Sequence, residues 1–220
     1  MAMQLALSGP DTAGDSCLSG SRRDHTSVWI TRDHPERESL QDFIATSFFN
    51  TYGAHVRNFC DILVGCKNAD GQWIAALGFS LAKNGQTFLE QYLDAPLENE
   101  IAAHVRIPVS RAHIVEVGNL ASTHVGAARE LIICMTKYLH QQGLIWVVFT
   151  ATQGLLNSFV RLRLNPNVLT VADPGRLPDG GKSWGSYYET KPRVMFGDIR
   201  AGYAPVSYTH LRAHETKANL

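Results

Sequence analysis

HIVEVGNLASTHVGAARELI, residues 113–132, decides how this chain is read. It opens as an apolar strand, carries a carboxylate at Glu116, reaches Gly118-Asn119 and then turns into a helix. Alternation along a strand places Ile114, Glu116 and Gly118 on one face and Val115, Val117 and Asn119 on the other. Glycine inside a strand marks a bulge or a close backbone approach, so the ladder is expected to break at Gly118-Asn119. A carboxylate held among apolar neighbours loses hydration. That raises its pKa toward the range in which it can take a proton as a general base. The plainer readings are a simple twist of the strand and an ion pair of Glu116 with Arg111 or Arg129.

Working outward, VWIT (28–31) reads as a short strand, and PERESLQDFIATSFFNTYG carries Leu40, Phe43, Ile44 and Phe48 at helical spacing. DILVGC (61–66) and QWIAALGFSLA (72–82) read as two strands joined by the turn NADG. TFLEQYLD (87–94) reads as extended, with Glu90, Tyr92 and Asp94 on one face. Pro96 opens a short helix over PLENEIAAHV. After the opening strand, GAARELIICMTKYLHQQG presents Ala128, Leu131, Ile132, Met135 and Leu139 on one helical face and stops at Gly143. LIWVVFTA (144–151) is apolar throughout, as in a strand covered on both faces. QGLLNSFVRLRL is a further helix, and SYYET and RVMFGDI read as two closing strands. A hairpin followed by strand–helix units predicts an α/β fold, a mixed central sheet with helices on both faces.

Composition is that of a globular chain of 220 residues, 45% hydrophobic and 18% charged, with 20 basic and 20 acidic residues. Nothing global or local marks a nucleic-acid groove. PVSYTHLRAHET (205–216) resembles the translation of a transposon-type sequencing adapter and is set aside from the fold. Without Arg212, Lys217 and Glu215 the balance is 18 basic against 19 acidic residues. The expected organisation is a disordered leader over 1–27, one domain over 28–204 and a tail over 205–220. Cys17, Cys60, Cys66 and Cys134 show no CxxC spacing and read as reduced thiols. No basic n-region and no apolar run of spanning length is present, so the expected location is the cytoplasm. Outside the tail the histidines form no HxxxH pair, so no metal is assigned, and no lipase-type nucleophile is assigned either.

FLEQYLDAPLE, IVEVGNLAS, AARELI, WVVFTAT, FVRLRL and WGSYYETKP, in that order, resemble the bacterial thermostable hemolysin family from about residue 30 to about 200. Two positions depart from the family pattern: Arg163 stands where glycine is expected, and Cys60 where proline is usual; both are expected off the site. The element order is similar to GNAT-type acyltransferases and to acyl-homoserine-lactone synthases. That likeness implies a central pair of parallel strands that splay to admit the pantetheine arm of an acyl thioester. It implies Glu116 and Asn119 as catalytic residues, with Gly118-Asn119 replacing the Ser/Thr-Arg pair of the lactone synthases. It also implies donor contacts at Val117, Gly118, Leu120 and Ala121, with backbone donors on the thioester carbonyl.

The turn Thr123-His124-Val125-Gly126-Ala127-Ala128 keeps the small residues of a pyrophosphate loop without its leading cation or amide. Gly126, Ala127 and Ala128 are therefore candidate donor contacts, and a carrier-protein donor fits as well as acyl-coenzyme A. Glu90, Tyr92, Asp94, Asn157, Trp184, Tyr187 and Tyr188 are the candidate acceptor or acyl pocket. The implied activity moves a fatty acyl group from acyl-carrier protein or acyl-CoA to a small amine or hydroxyl, with no bound cofactor. The alternatives are a membrane-active hemolysin without catalysis and a domain that only binds an acyl ligand.

Overall fold

The structure, a computed structural model, describes residues 25–203. The expected tail at 205–220, Cys17 and all but the last residues of the expected leader lie outside them. Strands β1 (Thr26–Ile30), β2 (Ile62–Lys67), β3 (Trp73–Leu81), β4 (Ile114–Ser122), β5 (Trp146–Ala151), β6 (Asn167–Val171) and β7 (Arg193–Asp198) form one sheet. Helices α1 (Arg37–Tyr52), α2 (Leu97–Val105), α3 (Val125–Gln141) and α4 (Gln153–Arg161) cover it. Strand order is β1-β2-β3-β4-β5-β7-β6, parallel between β4 and β5 and antiparallel at every other pair.

Neighbouring residues of β4 show why both faces are covered. Ile114 packs with Leu97 and Ile101 of α2, whereas Val115 packs with Leu131 and Met135 of α3. Helix α1 places Leu40 and Ile44 on the α2 side, and α4 places Phe159 against Phe149 on the α3 side. Burial of these aliphatic side chains, each worth roughly 1.5–3 kcal/mol, is what holds the layers together. The expected mixed sheet with helices on both faces is the fold observed.

Three local expectations are corrected. TFLEQYLD is not extended: Phe88–Tyr92 is a 3-10 helix opened by a capping box, in which Thr87 and Glu90 satisfy each other's backbone donors. SYYET is likewise helical, over Tyr187–Thr190, and the penultimate strand is instead β6. Strand β1 begins at Thr26, inside the expected leader. Arg163 adopts φ +58 just past α4, the left-handed conformation for which glycine carries no Cβ penalty. Cys60 and Cys66 are free thiols, as the reading of reduced cysteines expects of them.

Candidate functional site

The β4–β5 ladder contains only Ile114↔Trp146, Val115↔Val147 and Glu116↔Val148. Beyond it β4 runs on to Ser122 and β5 to Ala151 without pairing, so the two strands open into a gap just past Glu116. On its other edge β4 pairs Gly78 with Gly118 but Ala76 with Ala121, an inserted residue that makes a β-bulge. Asn119 takes φ +54 there. The inserted residue inverts the alternation: Ala121 lies with α1 and Leu40, while Val117 and Leu120 lie on the α3 side. Asn119 is thereby corrected onto the α1 side with the 58–60 segment. Its Oδ1 accepts the Cys60 N–H at 2.9 Å and its Nδ2 donates to Asn58 O at 3.1 Å.

A cavity of about 1050 Å³ passes through the gap from one side of the sheet to the other. Val117, Gly118, Asn119, Leu120 and Ala121 all line it. On the α3/α4 side its wall is largely aliphatic, from Ile132, Met135, Leu139, Leu155 and Leu164, with Phe149 and Phe159. On the α1/α2 side it is aromatic, from Phe48, Tyr52, Phe88, Tyr92, Trp184 and Tyr187.

Glu116 stands at the junction, 5% exposed. Burial pushes its carboxyl up to about 7, even though the N–H groups of Phe88 (2.8 Å to Oε2) and Leu89 donate to it. Neither proposed ion pair forms part of this environment. Arg111 instead grips Glu90 through two donors, at 2.6 and 2.7 Å, and Glu98 at 2.8 Å. Burial would raise Glu90, but Arg111 and the N–H groups of Thr87 and Leu97 bring it down to about 2.

Glu116 has neighbours that its place in the sequence did not reveal. Ser80 lies directly across the β3–β4 ladder from it, and the Ser80 hydroxyl accepts the Asp61 N–H at 2.9 Å. Cys60 also lines the cavity, so the expectation that position 60 lies off the site is corrected. Burial first, and then the charge of Glu116, push its thiol up to about 12, which leaves it protonated at neutral pH. A proline at this position would lack the N–H that Asn119 binds. Arg163 also lines the cavity, at its α4 end.

The candidate pocket residues divide. Tyr92, Trp184 and Tyr187 face the aromatic chamber, and Tyr188 backs it, its hydroxyl 2.5 Å from that of Tyr92. Glu90 is consumed by its capping box and by Arg111. Asp94 is exposed and pairs with Arg176, because a 3-10 turn does not align it with Tyr92. Asn157 is exposed on α4 with Gln153, off the cavity wall. Gly126, Ala127 and Ala128 form the first turn of α3 and do not line the cavity. Gly181-Lys182-Ser183-Trp184-Gly185 matches the spacing of a hydrolase nucleophile motif. It forms a 3-10 turn in which the Ser183 N–H bonds Asp179, not a strand-to-helix elbow. Among the described residues no cluster could hold a metal ion.

A family model described as Thermostable hemolysin matches residues 30–203. No curated protein matches the chain. Among solved structures, the AHL synthase LasI aligns with TM-score 0.54 at 14% identity, over 80% of this chain and 91% of LasI. BjaI, a CoA-dependent acyl-homoserine lactone synthase, aligns with TM-score 0.56 at 14% identity, over 84% and 89%. FeeM, an N-acyl amino acid synthase from uncultured soil microbes, aligns with TM-score 0.53 at 11% identity, over 82% and 93%. Likeness at these identities is a likeness of fold, a GNAT-like mixed sheet with its helices.

Proposed function

The chain belongs to the thermostable hemolysin family, and we propose that it is an acyltransferase that moves an acyl group from a thioester donor to a small amine or hydroxyl. One observation carries this reading: a buried carboxylate with a pKa near 7 sits where an opened parallel strand pair joins an aliphatic chamber to a second chamber. The aliphatic side suits a fatty acyl chain, and the open edge of β4 past Glu116 offers unpaired backbone groups to an amide-rich pantetheine arm. LasI, BjaI and FeeM, which share the fold, are synthases that by their names make acyl products.

In the proposed reaction the acceptor nitrogen attacks the thioester carbonyl carbon from the aromatic side. Glu116 takes the proton that the nitrogen sheds. Backbone N–H groups of the Gly118–Leu120 segment stabilise the oxyanion. Collapse breaks the carbon–sulfur bond, and the thiolate leaves with the proton that Glu116 returns. Asn119 is a positioning residue, since both ends of its amide are bound to the 58–60 segment. The wall at α3 includes no Gly126, Ala127 or Ala128 side, and the turn before α3 carries no arginine or lysine, which favours a carrier-protein donor over coenzyme A. No helix among the described residues is long and apolar enough to cross a membrane.

The test supplies the full chain and Glu116→Ala with acyl-carrier protein or acyl-CoA of several chain lengths, plus a small-metabolite extract, and follows products by mass spectrometry. A new acylated product absent with the variant supports the reading. No product from any donor, with dye release from liposomes by the same protein, overturns it in favour of direct lysis.

A further inference from the structure

We infer that the acceptor is a primary alkylamine bearing an aromatic ring, which seats against the cluster of Trp184, Phe48 and Phe88 with its nitrogen at Glu116. This rests on the acyltransferase reading and adds the chemistry of the second substrate. The two chambers differ in kind. Six rings from three separated stretches of sequence converge on the α1/α2 side, where a chamber for a small aliphatic acceptor would need none of them. Trp184 is the hub: its ring lies 6.0 Å from Phe88, 6.2 Å from Phe48 and 5.3 Å from Tyr187, at interplanar angles from 42° to 77°. Rings at these separations and tilts pack on one another into one continuous wall, whose cavity-facing surfaces can stack on an aromatic guest and attract an ammonium group. Trp184 is itself only partly buried, and the cavity wall includes it.

The polar groups of the chamber match the amine. Glu116 and Asp61 place carboxylate oxygens on its wall, and the Phe88 and Leu89 N–H groups that donate to Glu116 belong to the same segment as the Phe88 ring. Recognition of ring and nitrogen is thereby built into one turn. Arg32 is the cation of this chamber among the described residues, and it pairs with Asp61 at the mouth. An acceptor that also bears a carboxylate would meet that arginine; one that does not leaves the pair intact.

The experiment measures binding by titration calorimetry with no acyl donor present, so it is independent of turnover. The full chain is titrated with phenethylamine, tyramine and tryptamine, with their amino-acid counterparts, and with cyclohexylethylamine and octylamine as non-aromatic controls. The expected result is an affinity for the aromatic amines about 10-fold above the cyclohexyl control. That advantage should disappear in Trp184→Leu and shrink in Phe48→Leu, which guards against a single misfolded variant. The amine and amino-acid arms tell which form the chamber takes. Equal affinity for ring and cyclohexyl amines, or an unchanged preference in both variants, overturns the inference while leaving acyl transfer standing. Aromatic binding without any acyl transfer retains the chamber and removes the enzyme.

Discussion

Replacing Glu116 by glutamine should stabilise this protein at alkaline pH while disabling it. The folded chain lifts the carboxyl from its ordinary 4.5 to about 7. At about 1.4 kcal/mol per pH unit, ionising this group in the folded state costs about 3 kcal/mol more than in the unfolded chain. Below pH 4.5 both states hold the proton and there is no penalty. Between 4.5 and 7 the unfolded chain has released it and the folded chain has not, so rising pH erodes stability. Above 7 the full penalty applies. Glutamine cannot ionise, and its carbonyl can still accept the Phe88 N–H. Urea unfolding of wild type and Glu116→Gln at matched pH should therefore show a difference near zero at pH 4.5 that grows to about 2–3 kcal/mol in favour of the variant at pH 8. All other titrating groups cancel in that difference. Acyl transfer should fall by about 10²–10⁴ over the same range. A flat difference curve would show that Glu116 titrates normally, and the general-base argument would fall with it.

If Glu116 must be ionised to accept a proton, kcat/KM should rise with pH and level off above an apparent pKa of about 7, measured with a neutral acceptor analogue; a profile flat from pH 5.5 to 8.5 contradicts this. Arg111→Ala should cost about 3–5 kcal/mol in urea unfolding, because it strands the Glu90 carboxylate beneath the capping box. Glu90 is held down at about 2, so wild type loses this contribution as pH falls from 4.5 toward 2, and the Arg111→Ala deficit should shrink over that interval. Gly185→Ala should fail to fold or lose about 4 kcal/mol or more. A Cβ there would stand 2.0 Å from the Tyr52 carbonyl oxygen at φ +53, which would part α1 from the turn that carries Trp184 and Tyr187.

The element order was legible because each long element carries its own period, and the apolar run before Thr152 could only be a covered strand. The departures from that order have separate causes. Alternation over FLEQYLD and SYYET imitates strands, yet the Thr87-x-x-Glu90 capping signature was present in the sequence and outweighs that alternation. Strand β6 is not legible in the sequence because it is an edge strand with mostly exposed side chains, and it shows no buried face to read. Glu116 was found because a carboxylate in an apolar strand is locally conspicuous. Cys60, Ser80 and Asp61 were not, since nothing in their own segments announces that β3 and the loop before β2 fold back onto β4.

Asn119 shows why the gap holds its shape. A bulge residue with positive φ favours glycine or asparagine, and glycine would satisfy the backbone alone. Asparagine adds two side-chain bonds to the segment 58–60. That segment is tied again from α1, where Arg37 donates to the carbonyls of Cys60 and Asp61 at 2.7 and 2.9 Å, and from β3 through Ser80. Close packing leaves it no slack: a Cβ on Gly78 would come within 2.7 Å of Cys60 and Leu63. The departure of β4 from β5 is thus fixed by the opposite edge of β4, through a bulge anchored to a loop that three elements hold. A gap maintained in this way needs no ligand to open it, and the Glu116 carboxylate beside it keeps one position from one encounter to the next.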